Sequence, residues 1–274
     1  MARLKITALG SSFAAGPSID PIIDTPAGRS GRNYSHQLAL ELGATLTDLT
    51  VSGATLLNVL HEPQAPVFGK GDVFPPQLEG LQPDTDIVTL TAGGNDLLYS
   101  FGMLQESLAS YAPGPLWYLL QMLQRWMTAR LAVEALDLQQ LTDRFIAVLD
   151  AVHARAPAAK VYLVQYLSVF GEDSRPGPGI PLTWQQIGYH RRRAVVLDRA
   201  YEAAAAARSN FTELVPAAEL SQGHEVGTAE PWMLGFRLGM LWKGVAPYHP
   251  NVAGHTAVAE ELCRRIRAAG KMEA

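Results

Sequence analysis

Apolar, β-rich runs alternate with helical stretches along the whole chain, and the first three runs each end in a loop of small residues. Leu4 to Gly10 (LKITALG) is β-branched and apolar and passes into Ser11 and Ser12. Thr45 to Val51 (TLTDLTV) alternates, as a half-buried strand does, and is followed by Ser52 and Gly53. Asp86 to Thr91 runs into Gly93-Gly94-Asn95-Asp96. Helical patterns lie at 33–43, with Gly43 as the stop, at 55–60, at 141–157, with Pro157 as the stop, at 189–209 and at 251–270. Two more strands are expected at 159–167 and 211–217. This alternation predicts a parallel sheet covered by helices on both faces. In such open sheets, sites form at the carboxyl ends of the strands. The three small-residue loops fall there together, which is the convergence a catalytic site needs.

The 274 residues are enough to bury a sizeable core. They read as one domain over 1–274, with an apolar helical insertion near 99–136. In that insertion Trp117, Leu120, Leu123 and Met127 can share one face, either packed on the core or walling an acyl group. Gln121, Gln124, Arg125 and Arg130 argue against a membrane span there. A net charge of −4 with scattered basic residues argues against a nucleic-acid partner. The run Arg191-Arg192-Arg193 reads as a solvated helix turn. Cys263 is the single cysteine, so no intramolecular disulfide is possible; it reads as a packed small residue. The first residues enter a strand without a signal-peptide pattern, and the expected location is cytoplasmic, with no integral membrane association.

A serine hydroxyl is a poor nucleophile until a base takes its proton, and the oxyanion it creates needs fixed donors. The chain has seven histidines. His36, His153 and His190 fall on helical patterns, and His61 and His224 fall in loops. His255 lies inside the last helix and reads as structural. His249 precedes Pro250 and the start of that helix, where a side chain has a fixed exit direction. Asn95 can offer a side-chain N–H to a developing negative charge, or simply occupy a turn. Gly53 can donate its backbone N–H, or simply make a tight bend. On the residues alone, either Ser11 or Ser12 can be the nucleophile.

Taken together, these blocks resemble the SGNH hydrolases, also called GDSL esterases/lipases, and within them the bacterial lipase-like branch. The matching positions are Gly10-Ser11-Ser12, Gly53, Gly93-Gly94-Asn95-Asp96 and His249-Pro250, in family order. The resemblance implies a three-layer α/β/α sandwich with a central, mostly parallel five-stranded sheet of flavodoxin-like type. It implies Ser12 as nucleophile and His249 as base. The oxyanion hole is then made of the Ser12 and Gly53 backbone N–H groups and the Asn95 side chain, with Asp96 bracing its turn. No metal or organic cofactor is implied, and the partner is a small-molecule or lipid-like carboxylic ester. Acyl transfer or thioester hydrolysis at the same residues is an alternative, as is a catalytically weak glycan- or lipid-binding role. Two positions depart from the family. Ser11 stands where an Asp is usual, and Ala246 stands where an acid usually precedes the histidine by three residues. The expectation is therefore a Ser–His dyad, with the backbone carbonyl of Ala246 or a neighbour accepting from His249.

Overall fold

The computed structural model describes residues 3–67, 71–111, 114, 122 and 136–272. Five parallel strands form the central sheet: β1 (Lys5–Gly10), β4 (Thr45–Asp48), β5 (Ile87–Thr91), β6 (Lys160–Val164) and β7 (Thr212–Val215). Their spatial order is β4-β1-β5-β6-β7. All five residues of β5 are buried, which requires cover on both faces. Thr89 and Thr91 meet Ser35 and Tyr34 of α2 (Tyr34–Leu42), so by the two-residue period Val88 and Leu90 point to the opposite face. The helix α2 packs with α7 (Val252–Met272). A second group comprises α3 (Leu56–Leu60), α5 (Leu138–Arg155) and α6 (Trp184–Ala207). This is the α/β architecture expected from the alternation.

The helices begin where their side chains satisfy free backbone N–H groups. Thr55, Asp137 and Thr183 each form a reciprocal capping box with the residue three positions on, starting α3, α5 and α6. These caps start α5 and α6 several residues earlier than the apolar period suggests. The helix α2 stops as expected, at Gly43 with φ 61°. The second strand is shorter than expected and ends at Asp48, although the Leu49 and Val51 N–H groups still donate to the Ala8 and Gly10 carbonyls of β1. A two-stranded hairpin not foreseen in the sequence, β2 (Ile22–Asp24) with β3 (Arg29–Ser30), lies in the Pro17 to Arg32 loop. The segment expected to be an insertion begins with α4 (Tyr99–Ser110). Trp117, Leu120, Leu123 and Met127 lie outside the described residues. Cys263 is buried, as a packed small residue would be.

Register decides where the loops emerge. Gly10 pairs with Thr91, so β1 and β5 release their chains at the same level. The chain order reverses here: β1 has the edge strand β4 on one side and β5 on the other. In doubly wound sheets this switch point opens a crevice at the carboxyl ends.

Candidate active site

Ser12 opens the short helix α1 (Ser12–Ala15) directly beyond β1. Gly10 is what lets it do so. It has φ 142°, and a Cβ there would lie 2.3 Å from the Thr91 carbonyl oxygen. At the strand ends, buried side chains also bond the backbone. Gln77 accepts the Gly10 N–H through Oε1 at 2.8 Å and donates Nε2–H to the Gly10 carbonyl at 2.9 Å. Tyr201 treats the end of β5 the same way. Its hydroxyl accepts the Ala92 N–H at 3.0 Å and donates to the Ala92 carbonyl at 2.7 Å. Neither residue stands out in the sequence, because a lone Gln in a loop and a Tyr on a helix carry no periodic signal.

The two serines part company here. Ser11 is fully buried, and its Oγ lies 2.6 Å from the Tyr166 hydroxyl. Ser12 Oγ lies 2.8 Å from Nε2 of His249. Tyr166 stacks on Phe13 at 4.0 Å between centroids, and Phe13 meets the His249 ring at 5.2 Å. Nδ1 of His249 lies 2.8 Å from a backbone carbonyl oxygen, that of Pro247. A carbonyl can only accept, so Nδ1 carries the proton and Nε2 turns its lone pair toward Ser12.

Ala246 does not supply that carbonyl. Tyr248, at φ 58°, folds the chain back so that the carbonyl two residues ahead of His249 meets the ring. Ala246 lies one peptide too far back, and instead its N–H donates to Ser18 Oγ at 2.7 Å. Ser18 thereby ties the loop after α1 to the histidine loop, a contact for which the sequence held no signal. Among the described residues, no carboxylate contacts His249.

The other loops arrive from β4 and β5. Among the described residues, neither the Ser12 nor the Gly53 backbone N–H has a hydrogen-bond partner. Gly53 has φ 83°, and a Cβ there would lie 2.5 Å from Val67 Cγ2. Asn95 donates one Nδ2–H to the Ala54 carbonyl at 2.8 Å, which fixes the amide and leaves its second hydrogen. Asp96 binds two elements at once. Oδ2 accepts the Leu56 N–H at the start of α3 (2.9 Å), and Oδ1 accepts Arg144 Nη1 of α5 (2.8 Å). Burial raises the Asp96 carboxyl, while the Leu56 N–H and Arg144 pull the other way.

Desolvation pushes His249 down to about 4, against the opposing pull of the Pro247 carbonyl. The imidazole is therefore neutral near pH 7 and free to accept a proton. His255 is buried in α7 and accepts the Tyr34 N–H at Nδ1 (3.0 Å), a structural contact at the start of α2. Its burial, with His249 as a smaller cause, pushes it down to about 3. His190 pairs with Glu106 at 2.9 Å. Among the described residues, no cluster of three or more His, Cys, Asp or Glu is placed to hold a metal. Among them, too, no helix is long and apolar enough to cross a membrane.

Comparison with known proteins follows the same line. The model of the GDSL-like lipase/acylhydrolase family matches residues 8–257. Lipase 2 of Streptomyces coelicolor is 28% identical over 278 residues, spanning 94% of this chain and 84% of that protein. The phospholipase A1 from Streptomyces albidoflavus NA297 superposes with a TM-score of 0.71 at 21% identity, covering 97% of this chain and 99% of its own. The extracellular lipase from Streptomyces rimosus does so at 0.68, with the same identity and coverage. At such identity the two structures speak to the fold.

Proposed function

The chain belongs to the GDSL-like lipase/acylhydrolase family and is a carboxylic ester hydrolase; from that premise we propose that Ser12 and His249 form its catalytic dyad. The observation that carries the reading is the relay from Ser12 Oγ to Nε2 and from Nδ1 to the Pro247 carbonyl, each step 2.8 Å. His249 takes the Ser12 proton as Oγ attacks the ester carbonyl. The Ser12 and Gly53 N–H groups and the free Asn95 amide hydrogen receive the oxyanion. The imidazolium returns its proton to the departing alcohol, leaving an acyl-Ser12. Water then gives a proton to Nε2 and attacks the acyl carbon, and the carboxylic acid leaves as Ser12 recovers its proton. The carbonyl at Nδ1 enforces the competent tautomer but brings no negative charge to the imidazolium. The substrate we favour is a short- or medium-chain ester.

Covalent labelling tests the dyad directly. A fluorophosphonate is expected to add one phosphonyl group per chain at Ser12, found by peptide mass spectrometry, and none in Ser12→Ala. Labelling that persists in that variant places the nucleophile elsewhere.

The pH profile gives an independent check. The base acts unprotonated, and burial lowers its pKa to about 4, so activity is lost only in more acidic solution than for an ordinary histidine. For an uncharged ester, kcat/KM is expected to stay flat from about pH 8 to about pH 6 and to halve near pH 4. A single acid limb near pH 6.5 would mean that the imidazole is solvated as a free one is.

A further inference from the structure

The residue before His249 is the wrong type for its conformation. Tyr248 has φ 58°, in the left-handed region where a bulky side chain is an outlier. Such a conformation persists only where its surroundings over-determine it. Here three sets of contacts do so. The backbone is pinned to Leu234, with the Tyr248 N–H donating to the Leu234 carbonyl at 2.8 Å and the Leu234 N–H donating to the His249 carbonyl at 2.9 Å. The ring is fully buried, with the Phe170 ring edge-on at 5.7 Å and the Phe236 ring stacked at 6.4 Å. The hydroxyl lies 2.6 Å from Oγ of Ser107, itself buried on α4.

The reversal at Tyr248 is what sets the Pro247 carbonyl against Nδ1 of His249. With an extended backbone at 248, that carbonyl points away from the ring. Nδ1 then loses its acceptor, and the Nε2–H tautomer, which cannot take a proton from Ser12, becomes available. Resting on the dyad reading above, we infer that Tyr248, held by Ser107, is a positioning residue that stands in for the absent acid by fixing the tautomer of His249. The backbone contacts to Leu234 set the path of the loop, and the Tyr248–Ser107 hydrogen bond holds the strained step within it.

The test combines a tautomer readout with kinetics in Tyr248→Phe, which keeps the ring, and Ser107→Ala, which keeps the tyrosine. Ring nitrogen NMR of 15N-histidine-labelled protein near pH 7 reports the tautomer, with the His249 signals assigned by their loss in His249→Gln. The wild type is expected to show the Nδ1–H form. Both variants are expected to show a fraction of the Nε2–H form, with kcat about tenfold lower for a p-nitrophenyl ester and KM within about twofold. Should Tyr248→Phe fail to fold, Ser107→Ala decides alone. An unchanged tautomer in the folded variants overturns the positioning role, however far their melting temperatures fall. The NMR readout needs no turnover, so the two readings fail separately. A shifted tautomer in a protein that hydrolyses no ester upholds the positioning role and removes the esterase dyad. Ser12-dependent hydrolysis with an unmoved tautomer does the reverse.

Discussion

Replacing Ser12 with alanine is expected to lower kcat on p-nitrophenyl esters by at least about 10⁴-fold, with KM little changed. His249→Gln should lose about as much, and the double variant scarcely more, because the two groups act as one unit. The reason lies in the relay. Without the imidazole, Ser12 Oγ has no base, and without Oγ the base has nothing to activate but water. What survives is binding and the oxyanion donors, which act independently of the dyad. The missing acid sets the scale from the other side. In acid-containing triads much of the loss on replacing the acid by its amide comes from the wrong tautomer. The Pro247 carbonyl avoids that fault, since it accepts and never donates. It forgoes only the charge on the imidazolium, so a substantial rate is left for Ser12→Ala to remove. The check is steady-state kinetics with acyl chains of increasing length. A Ser12→Ala protein that keeps more than about a hundredth of the wild-type kcat would rule out Ser12 as nucleophile. Ser11 would be a poor replacement, being buried and bonded to Tyr166.

The parts of this molecule legible in its sequence are those written as periodicity or as small residues in fixed order. The parallel sheet follows from apolar runs such as Val161 to Val164, and the position of the candidate site follows from Gly10 at the end of β1 and from Gly53 and Gly93 in the loops after β4 and β5. Family order brought Ser12 and His249 to attention, and the structure brings their side chains into contact. What was not legible depends on tertiary approach. The contacts of Gln77 with Gly10 and of Ser18 with Ala246 span 67 and 228 positions, and no local pattern marks either end. The early starts of α5 and α6 were readable in principle, as capping boxes at Asp137 and Thr183, but these polar signals lie outside the apolar period. The identity of the carbonyl on His249 was beyond reach because it turns on one backbone angle. Tyr248 is a residue type for which a positive φ is never the default expectation.

Asn95 separates charge stabilisation from positioning, and its variants should show this in an unusual order. Asn95→Ala is expected to lower kcat by about 10²- to 10³-fold while KM moves little, since an oxyanion donor acts in the transition state more than in the ground state. Asn95→Asp keeps the shape yet should be worse. The wild-type amide donates to the Ala54 carbonyl at 2.8 Å, and a carboxylate has no hydrogen to offer there. It would face that carbonyl as a second acceptor and would also set a negative charge beside the developing oxyanion. One outcome of that conflict is a protonated carboxyl, which carries no charge but has one hydrogen in place of the amide's two, so Asn95→Asp should regain part of its activity as the pH falls toward its raised pKa. The base stays neutral down to about pH 4, which leaves a window in which that recovery is visible. Kinetics of both variants from about pH 8 to about pH 5 make the comparison. An aspartate variant as active as the alanine variant throughout, with neither more than about tenfold below wild type, would remove Asn95 from the oxyanion hole and leave Ser12 and Gly53 to hold the charge.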